Sequence, residues 1–484
     1  MRTSSNVIPT TDSVLVGVVL LIATLLTSLE VGAQTTGDPF PEPIPVEAGA
    51  ISVAVSEFVR LPETDGEPAR AMHLVVEEGT DRIFVLEMTG PLYAMAPDGS
   101  GLVEYIDVDD PAWGVSVESG GRERGIQSFA FHPDFATENA PGYGRFYIWT
   151  DTDNTAPSPD FGPRDGSDSH DTVLLEFVAS DATAARYDGG PPRELMRFQQ
   201  PYGNHNGGQI AFNPLAEPGD DDYGLLHIGV ADGGSGGDPQ DLAQDLGSAF
   251  GKLLRIDPIG SAGRVGEYGV PASNPFVGRA GALPEIWAWG LRNPQRFAWD
   301  AVTGALFVTD IGQNTVEEVS VVTAGANLGW NRWEGSFAYV GREGVSTAAP
   351  RSESGVTYPV AEYDQEDPLF TQRVAVTGLV VQRSGAIPAL EGRVLWGELA
   401  SGEIFHFPLD PLPSGGQRSL RRLLLDAGDG PTTLLELVRA ENARQGREPA
   451  SRTDLRMSPG PGGSIFLLNK HDGVVRVIGE PVAR

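Results

Sequence analysis

Two side chains in glycine-rich stretches are suited to acid–base chemistry. His205 lies in the run NHNGG (204–208), and Asp232 ends the apolar run GLLHIGVAD (224–232). An imidazole has the proton affinity best matched to proton removal near neutral pH, and a carboxylate beside it orients the ring and stabilises its charged form. Because a single histidine is more often structural, the prediction of a general base rests on the pair.

Two further runs supply charged groups and oxygen ligands. Arg292 and Asn293 belong to GLRNPQ, and by residue type alone the guanidinium could simply be a surface ion-pair partner. The run DIGQNTVEE (310–318) adds carboxylates, which are plentiful in this acidic chain and are ligands of the kind that a hard cation such as Ca²⁺ binds. We expect Glu317 to begin an exposed strand, and Glu318 stays open as a metal ligand.

A repeated pair of β-strands would position these loops. An apolar or aromatic strand, a short polar turn and a second β-rich strand recur, with units beginning near residues 81, 145, 224, 305, 393 and 464. Such a pair cannot bury both faces alone, whereas radial stacking around an axis solves this. The pattern predicts an all-β, six-bladed β-propeller with long inserted loops, and a surface helix over 432–441. Two tandem sandwiches are the alternative, but no linker lies near the middle of the chain.

Composition limits the possible partners and chemistry. The 484 residues carry a net charge of −32, which disfavours nucleic acid because a phosphate backbone would be repelled. The chain has no cysteine, so disulfides, zinc–thiolate sites and a cysteine nucleophile are excluded. Its 61 glycines and 38 prolines are scattered between short apolar runs, as expected for many turns joining short strands.

The N-terminus has the pattern of a secretory signal. Arg2 precedes an apolar run (14–26) and small residues near position 33, which predicts a signal peptide over 1–33 and an exported, periplasmic or extracellular protein. The apolar run is short for a transmembrane anchor, so no membrane span is expected after cleavage. Residues 34–50 are Pro-rich and predict a flexible lead-in to a propeller domain over 51–484.

Five segments together resemble the soluble, pyrroloquinoline-quinone (PQQ) dependent glucose/sorbosone or aldose sugar dehydrogenases, and also the hedgehog-interacting-protein-like propellers. They are GIQSFAFHPDF (125–135), NHNGGQIAF (204–212), GKLLRIDP (251–258), WAWGLRNPQRFAWD (287–300) and VTDIGQNTVEEVSVVTAGANLGW (308–330). The resemblance covers most of residues 68–480, in order. It is more specific than any one of the motifs.

The resemblance implies an exported quinoprotein that oxidises an aldose-like sugar or related alcohol and passes electrons to an external acceptor. PQQ would accept hydride and Ca²⁺ would act as Lewis acid. His205 would be the base, Asp232 would support it, and Arg292 would stabilise charge on the reduced quinone. The implied cofactor contacts are Glu123, Asn206, Arg292, Asn293 and Arg452, and the implied metal ligands are Gly312, Gln313 and Glu318.

The chain departs from this family pattern at several positions. Glu123 stands where the resemblance implies a glutamine, Ala400 where it implies a lysine, and Arg452 and Arg456 are out of register with a pair of arginines. One alternative is therefore a non-catalytic propeller of the hedgehog-interacting type that binds a protein or a glycan. Another is a Ca²⁺-dependent lactonase-like hydrolase, which would need carboxylate and asparagine ligands on the axis.

Overall fold

The computed structural model describes residues 37–156, 158–167, 170–263 and 266–479. Within these ranges it contains 28 β-strands and one α-helix. The predicted signal peptide (1–33) lies outside the described residues, so export stays a prediction. Among the described residues, no helix has the length and apolar character that a membrane crossing requires.

The strands are labelled β1 to β28 in chain order, and most belong to four-stranded antiparallel blades. The chain begins with β1 (Ile51–Arg60), followed in blade 1 by β2 (Ala71–Glu77), β3 (Arg82–Glu87), β4 (Pro91–Met95) and β5 (Val103–Asp107). Blade 2 has β6 (Ile126–Phe131), β7 (Arg145–Thr152), β8 (Asp171–Val178) and β9 (Arg193–Gln199). Blade 3 has β10 (Ile210–Phe212), β11 (Leu226–Val230), β12 (Lys252–Ile256) and β13 (Ile286–Trp289).

The second half of the chain repeats this plan with insertions. Blade 4 begins with β14 (Pro294–Trp299), β15 (Leu306–Asp310) and β16 (Val316–Val322), continues through a small inserted sheet of β17 (Trp333–Glu334), β18 (Phe337–Tyr339) and β19 (Val345–Ser346), and ends with β20 (Ala361–Asp364). Blade 5 has β21 (Val376–Gln382), β22 (Arg393–Glu398), β23 (Ile404–Pro408) and β24 (Arg421–Asp426). After β25 (Pro431–Thr432) and α1 (Leu434–Arg444), blade 6 has β26 (Arg456–Pro459), β27 (Ile465–Leu468) and β28 (Val474–Ile478). Short 3-10 turns lie at Pro111–Trp113, Gly341–Glu343, Pro388–Leu390 and Pro461–Gly463.

The N-terminal strand closes the ring. β1 pairs antiparallel with β28 and so becomes the fourth strand of blade 6. It also pairs in parallel with β24, which joins the outer edges of blades 5 and 6 into one nine-stranded sheet. Long-range pairing of the first strand with the last blade leaves neither of these blades with an open outer edge.

The innermost strands contact one another in the order β10, β6, β2, β26, β21 and β14, and β14 contacts β11 of blade 3, which completes the ring. Six apolar clusters fill the spaces between successive blades. For example, Phe146 of blade 2 packs within one cluster with Phe84 of blade 1. The predicted all-β, six-bladed β-propeller with inserted loops is therefore confirmed.

The structure describes the predicted surface helix and part of the predicted lead-in. The helix predicted over 432–441 is α1, which begins after the N-cap Thr433, whose hydroxyl accepts from Glu436 N. In the predicted lead-in, Phe40 packs edge-on against Phe337 and Ile44 is buried. These two residues are therefore packed against the propeller, and the flexibility of 34–50 as a whole stays a prediction.

Candidate functional site

His205 and Asp232 meet where two loops of blade 3 approach the propeller axis. His205 lies in the connection from β9 to β10, and Asp232 follows the end of β11. The Nδ1 of His205 donates to Asp232 Oδ1 at 2.7 Å, and both side chains are buried. Since an ionised carboxylate only accepts, this contact places a proton on Nδ1, and the tautomer that it selects has its lone pair on Nε2.

The glycines of the NHNGG run allow this close approach. A Cβ on Gly208 would lie 1.9 Å from Pro294 O, so only glycine lets the histidine loop pack against the beginning of β14. His205 itself has a φ of 59°, in the left-handed region, where non-glycine residues are uncommon. Its N–H donates to Glu123 Oε2 at 2.9 Å, and this bond holds the strained residue in place.

Asp232 is held ionised although it is buried. Burial by itself would raise its pKa, but the contact with His205, the nearby Arg292 and the N–H of Gly234 outweigh it and lower the pKa below its ordinary value. Oδ1 accepts from His205 and from Gly234 N at 2.9 Å, and Oδ2 accepts from the indole Nε1 of Trp330 at 2.8 Å. The carboxylate is therefore negatively charged and fixed in orientation.

Arg292 lies beside this pair with its charge not neutralised by direct contact. Its backbone carbonyl accepts from Asp232 N at 2.8 Å, and its Nη1 donates to Ile311 O at 2.9 Å. Its Nε and Nη2 donate to Gln313 Oε1 at 3.2 and 3.1 Å. Among the described residues it forms no ion pair, and it is 7% exposed, so its charge is available to an anionic ligand.

Trp330 and Asp310 are site residues that the sequence analysis missed. The guanidinium of Arg292 lies 5.6 Å from the centroid of a Trp330 ring, which makes Trp330 a neighbour of both Arg292 and Asp232. Asp310 ends β15 and accepts from the backbone N–H groups of Arg292 and Asn293 at 2.8 and 2.6 Å. The end of the run LFVTD, which parallels the end of the run containing Asp232, is the sequence signal for Asp310.

The other predicted cofactor contacts lie in or next to the loops that surround His205, Asp232 and Arg292, and we call this loop region the mouth. Glu123 is exposed, and its Oε2 accepts from His205 N. Asn293 is buried, and its backbone N–H donates to Asp310 Oδ1. The side chain of Asn206 is buried, and its Nδ2 lies 2.7 Å from Nε2 of His170. Arg452 donates to Asp454 Oδ1 at 2.8 Å, so its charge is already partnered.

Lys470 is a cation of this mouth that no prediction assigned. Its Nζ donates to Arg122 O at 2.8 Å, next to Glu123, and the side chain is buried. Burial first, and then the nearby Arg456, lower its pKa well below the ordinary value. Among the described residues it forms no ion pair. It is a second lysine candidate for this site, since Ala400 occupies the position where the resemblance implied one.

The predicted metal ligands lie beside Arg292, in a turn and a strand of blade 4. The N–H of Gln313, like those of the next three residues, donates to Glu334 Oε1, and the Gln313 side chain contacts Arg292. Glu318 lies on β16 between Asp310 of β15 and Glu362 of β20. Burial and the surrounding carboxylates raise the pKa of Glu318 well above its ordinary value.

The buried carboxylates of blade 4 bear on two expectations, the exposure of Glu317 and a metal site near Glu318. Glu317 was expected at the start of an exposed strand, but this is wrong: it is fully buried, and it accepts from Val376 N at 2.7 Å and Gln365 Nε2 at 2.6 Å. The Oε2 atoms of Glu318 and Glu334 are buried without a hydrogen-bond partner. In the part of the chain that the structure describes, no three His, Asp or Glu side chains are arranged to hold a metal ion.

Comparison with known proteins decides the family. Residues 74–424, well over half of the chain, match the family model described as Glucose / Sorbosone dehydrogenase.

The chain belongs to the glucose/sorbosone dehydrogenase family.

Relatives within and around this family carry different names. The HIPL2 protein of Arabidopsis thaliana is 30% identical over 379 residues, which cover 70% of this chain and 52% of that protein. The hedgehog-interacting protein of Homo sapiens is 29% identical over 235 residues, which cover 48% of this chain and 30% of that protein. This glucose/sorbosone dehydrogenase family member thus spans about half the length of the HIPL2 protein.

Among solved structures, the PQQ-bound aldose sugar dehydrogenase of Streptomyces coelicolor matches with a TM-score of 0.56 at 20% identity. The match covers 88% of this chain and 98% of that one. At this identity the likeness bears on the fold, and it agrees with the propeller described above. Evidence for the function of this glucose/sorbosone dehydrogenase family member comes from its own residues.

Proposed function

We propose that this chain is an exported quinoprotein dehydrogenase that oxidises an aldose-like sugar or a related alcohol, with PQQ as the hydride acceptor. The observation that carries the proposal is the contact of 2.7 Å between His205 Nδ1 and Asp232 Oδ1, with Arg292 beside it at the axial mouth. A base, its orienting carboxylate and an unneutralised cation are the groups that hydride abstraction from an alcohol requires of the protein.

His205 removes the proton of the substrate hydroxyl. Its Nε2 has no hydrogen-bond partner among the described residues and carries the lone pair that accepts this proton. The imidazolium that forms is stabilised by Asp232, which is ionised before the reaction begins. PQQ, when bound, supplies the two-electron acceptor for the hydride that leaves the same carbon.

The residues of the mouth fit an anionic cofactor. PQQ carries three carboxylates, and removing them from water is costly without cationic partners. Arg292 and Lys470 are buried and form no ion pair among the described residues, so both side chains are available to a cofactor carboxylate, which would counter the lowering of the Lys470 pKa. We assign Arg292, Lys470 and the amide of Asn293 to holding the cofactor, whereas Arg452 keeps its bond to Asp454.

Ca²⁺ at Gly312, Gln313 and Glu318 is a second, separate part of the proposal. Support comes from the buried and unpartnered Oε2 atoms of Glu318 and Glu334, since a divalent cation would relieve the repulsion among these carboxylates. Because the described side chains do not form a ready ligand set, no catalytic step is assigned to the ion. If Ca²⁺ binds here, it raises the thermal midpoint of wild type and does so less in Glu318→Gln.

A non-catalytic propeller that binds a protein or a glycan is the alternative function. The specific observations in its favour are Ala400, which removes one cofactor cation, and the similarity to the hedgehog-interacting protein. A lactonase-like hydrolase has less support, because the axis below the mouth carries the cationic side chains of Arg296 and Arg456 in place of carboxylates.

Reconstitution of the purified protein tests these functions. PQQ and Ca²⁺ are added, the bound-quinone absorbance is recorded, and a panel of aldoses is then supplied. We expect quinone uptake in wild type and in His205→Ala, with bleaching by sugar in wild type alone. Absence of quinone uptake in wild type overturns the dehydrogenase proposal and favours the binding propeller.

A further inference from the structure

Two buried guanidinium groups belong to innermost strands, which surround the propeller axis. Arg296 belongs to β14 in blade 4, and its Nη2 donates to Met72 O of β2 at 2.9 Å. Blades 4 and 1 face each other across a ring of six, so this side chain crosses the axis. Arg456 begins β26, which runs beside β2, since Leu74 N donates to Ser458 Oγ at 3.3 Å.

The charges of these two groups are not balanced. Arg296 is 2% exposed and Arg456 is 4% exposed, and neither forms an ion pair with any described residue. Their other hydrogen bonds go to backbone carbonyls, from Arg296 Nη1 to Gln295 O at 2.6 Å and from Arg456 Nη1 to Leu455 O at 2.9 Å. Two buried positive charges that are hydrogen-bonded only to carbonyls, one of which repels the other, are costly.

Each of these side chains also has an unused donor. The Nε of Arg296 and the Nε of Arg456 are buried without a hydrogen-bond partner. The same is true of the hydroxyl of Thr377 on β21, the innermost strand that lies between β14 and β26. β21 packs tightly here, because a Cβ on Gly378 would lie 3.1 Å from Met457 N, next to Arg456.

Asp454 and Glu123 attract the charge of Arg456 from a distance, but neither forms an ion pair with it. His73 of β2 is buried beside Ser128, with 3.1 Å between Nδ1 and Oγ, and burial followed by Arg296 lowers its pKa well below the ordinary value. Asp454 is engaged by Arg452 and by His471, whose Nε2 lies 2.8 Å from Asp454 Oδ2. Glu123 is at the surface and binds the N–H of His205.

We propose that the axial channel binds one small inorganic monoanion of halide size between Arg296 and Arg456, with the two Nε–H groups and the Thr377 hydroxyl as donors. A water molecule would satisfy the hydrogen bonds but would leave both charges unbalanced, whereas an anion satisfies both. The site lies below the mouth and binds without quinone or sugar, so it is independent of the proposed dehydrogenase activity.

Chloride-dependent stability of the quinone-free protein tests this site. We expect the thermal midpoint in sodium chloride to exceed that in sodium gluconate of equal ionic strength by about 2–4 °C, because an ion that binds only the folded state stabilises it. The difference should disappear in Arg456→Met and shrink in the milder variant Thr377→Val. Arg418→Met removes an exposed arginine and should retain the full difference.

Bromide locates the ion directly. A crystal grown with sodium bromide should give an anomalous peak within hydrogen-bonding distance of both Nε atoms in wild type, and no such peak in Arg456→Met. Equal midpoints in the two salts, or a channel that holds only water in the bromide crystal, overturns the proposal. A bromide peak that persists unchanged in Arg456→Met overturns it as well.

Discussion

Asp232 shows how one buried residue acquires a defined role from its neighbours. His205, Gly234 and Trp330 each donate to its carboxylate, so it can neither rotate nor take up a proton easily. A carboxylate in this state selects one imidazole tautomer and stabilises the imidazolium. The catalytic competence that we propose for His205 therefore depends on three donors from different parts of the chain.

Replacing Asp232 with asparagine tests this dependence. Asp232→Asn keeps the size of the side chain but removes the charge and can present an N–H to the ring, which favours the wrong tautomer. We expect kcat in the sugar–quinone assay to fall about 10²–10⁴-fold with quinone uptake retained. A fall of less than about threefold would contradict the assigned role.

Trp330→Phe tests a positioning role for the indole N–H. The variant keeps an aromatic ring next to Arg292 but removes the donor to Asp232 Oδ2, so the pKa of Asp232 should rise. We expect kcat to fall about tenfold and the acidic limb of the pH–rate profile to move to higher pH. Trp287→Phe, elsewhere in blade 3, is the control. If Trp330 had only a structural role, the acidic limb of the pH–rate profile would stay at the same pH in Trp330→Phe.

At the scale of the element, a carboxylate recurs at the end of the second strand of successive blades. In four blades it accepts from a backbone N–H just before the first strand of the same blade. These contacts are Glu87 with Arg70, Asp151 with Gly125, Asp310 with Asn293 and Glu398 with Ala375. In blade 3 the equivalent Asp232 binds the ring of His205 instead. The candidate site is thus a variation of a structural contact that joins two strands in other blades.

The pH dependence of stability tests the structural version of this contact. Burial raises the pKa of Asp310 from 3.8 to about 7, opposed by the N–H groups of Arg292 and Asn293. Between these values the folded state binds more protons than the unfolded state, so the free energy of unfolding falls as pH rises through the window and levels off above it. We expect the free energy of unfolding of wild type, measured by chemical denaturation relative to that of Asp310→Asn, to fall by up to about 1.4 kcal/mol for each pH unit in this window. Parallel stability curves for the two proteins would contradict the shift.

Much of the blade pattern could be predicted from the sequence, and the missing part has a physical reason. The six predicted strand pairs are the second and third strands of the blades, which are apolar because both faces are covered. The first strands were missed because they carry polar side chains such as Arg296 and His73 to the axis. The pair of His205 and Asp232 was predicted by residue type, whereas Trp330 reaches Asp232 only through the fold.

At the scale of the whole molecule, stability depends on closure by β1. Val53 and Val55 point into the interface between blades 5 and 6, while Ser56 of the same strand is exposed. Val55→Asp would bury a charge at the seam, and we expect a loss of about 3 kcal/mol or more in the free energy of unfolding. Ser56→Asp, on the outer face, should cost less than about 0.5 kcal/mol. Equal midpoints for the two variants in thermal unfolding would contradict closure by β1.

Because the chain is made from its N-terminus, β1 is synthesised long before the strands with which it pairs. β1 leaves the ribosome among the first residues of the propeller, yet its partners β24 and β28 lie at Arg421–Asp426 and Val474–Ile478. Until those strands exist, its backbone N–H and C=O groups have no native partner, and an unpaired strand of this kind invites pairing with other chains. A nascent chain of this protein therefore stays vulnerable to aggregation until β24 and β28 have been made, and the ring closes only when β1 pairs with them.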